Sequence, residues 1–113
     1  MMSYTSYTDK LFRQIDKVSL YNGERERHIN KIKKLLKDFK SEYPNKNFNK
    51  ILKKDIEFGK NFTPLHMAVL RSSLTLLELF IEEGADPFIT VNFTYFSMKP
   101  LTPLELCYKC KIF

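Results

Sequence analysis

Residues 63–87 read Thr63-Pro64-Leu65-His66-Met67-Ala68-Val69-Leu70-Arg71-Ser72-Ser73-Leu74-Thr75-Leu76-Leu77-Glu78-Leu79-Phe80-Ile81-Glu82-Glu83-Gly84-Ala85-Asp86-Pro87. Thr63 suits a helix N-cap, and Pro64 sits at the first helical position, where a missing N–H costs nothing. Leu65, Ala68 and Val69 give a short helical face, and the small Ala68 permits close approach of a neighbour. Ser72-Ser73 breaks the pattern. Leu74, Leu76, Leu77, Leu79, Phe80 and Ile81 then make a second, strongly apolar helix. Glu82 and Glu83 carry the wrong sign for the negative end of a helix dipole, so burial of that helix has to outweigh a local cost. Gly84 closes it, because glycine accepts the left-handed conformation that turns the chain away.

Comparing the chain with itself extends the pattern. Thr102-Pro103-Leu104-Glu105-Leu106-Cys107 shares the Thr-Pro-Leu opening and an apolar sixth position with Thr63-Pro64-Leu65-His66-Met67-Ala68. These residues resemble the ankyrin repeat: Thr-Pro-Leu-His-x-Ala, then Leu76-Leu77 and Phe80-Ile81 as the inner pairs of a second helix, then Gly84-Ala85-Asp86-Pro87. The resemblance implies a stack of short helix pairs, and for His66 a hydrogen bond to backbone or to a Thr hydroxyl of an adjacent repeat. Lys54-Asp55-Ile56-Glu57-Phe58-Gly59 loosely resembles the loop that precedes such a segment. Three features depart from the family pattern. Ser72-Ser73 stands where a glycine is usual between the helices. Thr63 and Thr102 are 39 residues apart, against about 33 for the usual repeat. The second unit has its first helix only. The resemblance covers one full repeat and half of another, about half of the chain.

Upstream, Leu11, Ile15 and Val18 with Phe12 predict a helix over 9–21, capped by Thr8, favoured by Asp9 and stopped at Asn22-Gly23. Ile29, Ile32, Leu36, Phe39 and Tyr43 line one face of a second helix over 25–43, which Pro44 ends. Residues 44–62 lack a periodic run and read as a loop. Residues 88–96 change period: Ile89, Val91, Phe93 and Tyr95 alternate with Thr90, Asn92 and Thr94, a strand or hairpin pattern. The expected fold is mainly α and a single domain over 1–113. It comprises a two-helix cap (9–43), a loop (44–62), an ankyrin helix pair (63–87), an extended β-hairpin finger (88–101) and a terminal half-repeat (102–113). A stack this short is marginal unless its ends are covered.

The composition is ordinary globular, with 43% apolar and 28% charged residues in 113. No apolar run approaches the ~20 residues of a membrane span. The polar start lacks a secretory core, and two cysteines make no disulfide framework. These features point to a reducing, cytoplasmic location, the host cell cytoplasm or nucleus if the chain is viral or from an intracellular microbe. The net charge of +6 is lopsided: residues 1–60 hold 15 Lys/Arg against 8 Asp/Glu, and residues 61–113 hold 4 against 5. Three glycines leave no phosphate-cradling loop. Cys107-Tyr108-Lys109-Cys110 has the spacing of half a zinc site or a redox pair, but only His28 and His66 could complete it, and Cys107 falls where the repeat wants a small buried residue. His66 reads as structural. We expect no enzyme, no cofactor and no metal site.

Binding candidates remain. Phe88, Ile89, Phe93, Tyr95, Phe96 and Met98 form a group of large apolar side chains of the kind enriched at interfaces. The same segment could instead fold back over the end of the stack. Lys31, Lys33, Lys34, Lys37 and Lys40 make a possible electrostatic patch, although no aromatics interleave them to stack bases. Leu104, Leu106 and Cys107 lack a following helix, which leaves an open end for a partner chain or self-association. The leading expectation is an ankyrin-type adaptor or inhibitor binding an intracellular protein partner, a host factor in the viral or microbial case. The alternative is a small basic nucleic-acid-associated protein acting through 25–43. No membrane partner is expected.

Overall fold

The computed structural model describes residues 3–18, 25–45, 53–56, 59–93 and 99–110. The first element is helix α1, Tyr4–Lys17. It starts five residues earlier than the apolar stripe predicted. Ser3 caps it, its side chain accepting from the Ser6 N–H at 3.2 Å, and Thr8, expected as the cap, is buried inside the helix. The reason is that Tyr4 and Tyr7 extend the buried face: their rings pack on Tyr43 at 4.4 and 6.1 Å, and Tyr7 meets Phe39 edge-on at 5.6 Å. The helix stops at Val18; the Asn22-Gly23 stop lies outside the described residues.

Helix α2, Arg25–Glu42, buries Ile29, Ile32, Leu36 and Phe39 as the periodicity required. It runs antiparallel to α1, since the Tyr7 hydroxyl donates to Glu42 Oε1 at 2.7 Å near one end while His28 Nδ1 meets Gln14 Oε1 at 3.0 Å nearer the other. Burial, reinforced by that hydrogen bond, pushes the Tyr7 phenol up to about 12.

Residues 54–56 and 59–62, expected as loop, are strands β1 (Lys54–Ile56) and β2 (Gly59–Phe62). Strands of three and four residues are too short to show a period. They are held by their partner β3 (Asn92–Phe93) in an antiparallel sheet of order β1-β2-β3, with Gly59 opposite Phe93 and Lys60 opposite Asn92. Gly59 is needed for space, because a Cβ there would lie 2.8 Å from the Phe62 ring.

The repeat follows as α3 (Pro64–Leu70) and α4 (Leu74–Glu82). Both helices end in the same way. Ala85 N–H reaches Phe80 O at 2.9 Å and Gly84 N–H reaches Ile81 O at 3.1 Å; Ser73 N–H reaches Ala68 O at 3.1 Å and Ser72 N–H reaches Val69 O at 2.9 Å. This closure needs a left-handed residue, and Gly84 has φ 101°. Ser72 has φ 55° in the corresponding place, so serine adopts the backbone that glycine would take without strain. Ser73 then caps α4, accepting from Leu76 N–H at 3.2 Å.

Helix α5, Pro103–Cys110, completes the chain's described part. Thr102 and Glu105 cap it reciprocally: Glu105 N–H donates to Thr102 Oγ1 at 3.2 Å and Thr102 N–H to Glu105 Oε1 at 3.0 Å. Those hydrogen bonds hold the Glu105 carboxyl below its usual range. Helix α3 sits in the middle of the stack, packed on α1 to one side and α5 to the other. Arg25 donates to Ser73 Oγ at 3.3 Å and Lys40 pairs with Glu83, which aligns α2 along α4. The pair α1–α2 therefore stands to α3–α4 as a preceding repeat would, although its sequence matches the motif poorly.

Candidate protein-docking surface

The histidine of the motif is buried and engaged through both ring nitrogens. His66 is 0 % exposed, its Nε2 lies 2.9 Å from the Leu101 carbonyl and its Nδ1 2.6 Å from Thr63 Oγ1. The carbonyl can only accept, so Nε2 carries the proton, and Nδ1 accepts from the Thr63 hydroxyl. That hydroxyl accepts in turn from the His66 backbone N–H at 3.2 Å. Burial holds the imidazole down to about 4, so it is neutral at pH 7. Leu101 is paired with Val91 in an antiparallel bridge, and His66 thus ties α3 to the segment that leads into α5. Backbone of the adjacent unit is one of the two partner types expected; the threonine hydroxyl comes from its own unit.

The hairpin candidates separate into three groups. Phe93 is buried: β3 carries it onto Phe62, ring to ring at 5.2 Å, so it is a core residue and not a surface for partners. The alternation that marked it as a strand residue was right, and its face is covered by β2. Tyr95, Phe96 and Met98 lie outside the described residues. Ile89 is half-buried, and Phe88 is 81 % exposed. Within the described part of the segment, Phe93 thus lies against the sheet.

Phe88 instead borders a groove of about 450 Å³ between α4 and α5. Leu65 and Val69 of α3 lie at its base; Leu74, Leu77 and Ile81 of α4 form one wall, and Pro103, Leu104 and Cys107 of α5 the other. These residues share faces because 74, 77 and 81 recur at helical spacing, as do 103 and 107. Leu74, Ile81, Leu104 and Tyr108 are all more than half exposed. Ile81, expected as one of the inner residues of α4, turns outward here, while Leu76 and Phe80 are the ones fully buried. Burial pushes the Cys107 thiol up, keeping it protonated in the groove wall. Among the described residues no three His, Cys, Asp or Glu side chains lie close enough to hold a metal ion, and no helix is long and apolar enough to cross a membrane. The α4 wall had a signal in sequence: Leu74, Leu76, Leu77, Leu79, Phe80 and Ile81 surround the helix, more than one buried face requires.

The lysines do not form one patch. All five are exposed, but Lys40 is paired with Glu83. Lys31 and Lys34 converge with Lys10 and Arg13 of α1 on a shallow groove of about 390 Å³ that also holds Gln14, Leu35 and Asp38. Sequence reading missed Lys10 and Arg13, since only the α1–α2 packing brings them alongside.

The ankyrin-repeat family model matches residues 60–92, from β2 through α3 and α4 into β3. Searches of the curated proteins and of the solved structures gave no match.

Proposed function

We propose that this chain, which carries an ankyrin repeat at residues 60–92, is a protein-interaction module that holds a protein partner on the open face of α4 and α5. One observation carries the reading: Leu74, Ile81, Phe88 and Leu104 are exposed together around an apolar groove. Contiguous exposed apolar surface costs free energy in water and marks association sites. Phe88 supplies a large rigid ring at its edge, and aromatic side chains are enriched at interfaces. Acting by binding alone, such a module serves as an adaptor or as an inhibitor of its partner.

The test is capture of partners from a cytosolic extract with the wild-type chain, Phe88→Ala and Leu104→Glu. Both positions are solvent-exposed, so neither change disturbs the core. We expect one discrete set of proteins to be lost with both variants. Retention of every captured protein by both variants would remove this face from consideration.

A second reading has its own observation, the convergence of Lys10, Arg13, Lys31 and Lys34. A polyanion, nucleic acid included, would be held there by charge and would dissociate steeply with salt. Lys31→Glu/Lys34→Glu, compared with wild type over a salt series, separates this reading from the apolar one.

A further inference from the structure

We infer that the α4–α5 groove accepts an amphipathic helix from a partner protein, with an apolar stripe facing inward and basic residues along its α4-side flank. The inference rests on the proposal that this face binds protein, and it specifies the chemistry of what is bound.

The backbone argues for a helix. The N–H and C=O groups of α4 and α5 are engaged within their own helices, so the walls present no row of free main-chain donors or acceptors. A segment lying there gains no main-chain hydrogen bonds from the groove. Its own backbone groups, removed from water, must be satisfied internally, which a helix does and an extended peptide does not. The walls suit that shape: Leu74, Leu77 and Ile81 stand at i, i+3 and i+7, the ridge into which a neighbouring helix packs. Helix α4 has 9 residues, so at about 1.5 Å per residue the contact accommodates two to three turns.

The charge argues for a basic flank. Glu78 is the one charged side chain lining the groove among the described residues. Glu82 follows one turn later on the same edge of α4 and is exposed. Neither Glu78 nor Glu82 has an ion pair among the described residues, and Lys40 is committed to the neighbouring Glu83. A bound helix with Lys or Arg along that edge meets these carboxylates, and one with Glu is repelled.

The same features argue against a second copy of this chain. Among the described residues its two basic helices, α1 and α2, have their apolar faces buried against each other and against α3. A face-to-face pairing of two grooves would bring like-charged edges together.

The test uses two synthetic 18-residue helical peptides with one leucine stripe at i, i+3, i+4 and i+7. One carries lysine on its flanks and the other glutamate. Their binding to the full chain is followed by fluorescence anisotropy at low and at physiological salt. We expect the lysine peptide to bind about tenfold or more tightly. Leu104→Glu should abolish binding, and Glu78→Lys/Glu82→Lys should reverse the preference between peptides. Circular dichroism confirms that the variants are folded. Equal affinity for both peptides overturns the inference. So does failure of both peptides combined with a chain that sediments as a dimer and is dispersed by Leu104→Glu, since the occupant is then a second copy. Partner capture that still depends on Leu104 and Phe88 while the peptides show no preference leaves the protein-binding reading standing and sinks only this inference.

Discussion

Helix α3 has two neighbours, and the two sides of the molecule differ in how they are finished. On the α1–α2 side, Tyr7, Leu11, Phe12 and Ile15 of α1 are buried where it packs on α2 and α3, and Arg25–Ser73, Arg71–Asp16 and Lys40–Glu83 fasten the rim. On the α5 side, His66 secures the connection through Leu101, yet Leu74, Ile81, Leu104 and Tyr108 remain in water. Both sides share one core, with Ile15 buried on the first and Leu101 and Leu106 on the second, but the second keeps these large apolar residues exposed. Those exposed residues can serve binding at little cost to the fold, because truncating a residue already in solvent removes little burial.

Core truncation should break the symmetry most. Ile15→Ala, at a position with 0 % exposure, should cost about 3–4 kcal/mol. Leu104→Ala, at 77 % exposure, should change stability by less than ~0.5 kcal/mol. Urea unfolding of both variants checks this, and equal losses would mean that α5 is as deeply committed to the core as α1.

Next in size is the buried imidazole. His66 sits at about 4 when folded, against 6.5 unfolded. Between those values the unfolded chain binds more protons, so stability is full above pH ~6.5, declines as the pH falls toward 4 and is flat below. The loss approaches about 3 kcal/mol by the same linkage. Unfolding free energies from pH 7 to 4 should show the slope, and His66→Gln should flatten it. Hydrogen exchange in that window should report the α3–α5 connection opening before α1–α2.

The two helix closures form a smaller contrast. Ser72→Gly relieves a left-handed non-glycine residue and should stabilise the chain by about 1 kcal/mol. Gly84→Ala introduces a larger strain, since φ 101° lies beyond the left-handed region open to L-residues, and although the methyl group has open space it should cost about 1–3 kcal/mol. Thermal melts of the pair test whether Ser72 is held by backbone geometry alone. The smallest effect is expected at the rim: Lys40→Ala removes a half-exposed ion pair and should cost under ~0.5 kcal/mol.

The repeat was legible because its signals are local. Thr63-Pro64 opens α3, Ser73 caps α4 and Gly84 closes it, through hydrogen bonds spanning three to five residues. The apolar spacing of 25–43 placed α2 almost to the residue. Local signals failed where tertiary packing competed: Thr8 is a good cap by type, but the rings of Tyr4 and Tyr7 have a buried face to fill, so the helix begins at Ser3. The candidate site was half legible. Phe88 and Leu104 were marked by their apolarity, whereas Phe93 bore the same mark and is core.

By itself, the sequence determined the helix pair, its caps, the basic first half and the excess of apolar residues around 74–81. Only the tertiary structure decided which of those residues are covered. Phe93 is covered by β2, some 30 residues earlier, and Ile81 is left open; Lys10 and Arg13 join Lys31 and Lys34, while Lys40 turns to Glu83. Burial depends on which distant element arrives alongside, and residue type alone encodes how much an apolar side chain gains from being covered, not what covers it.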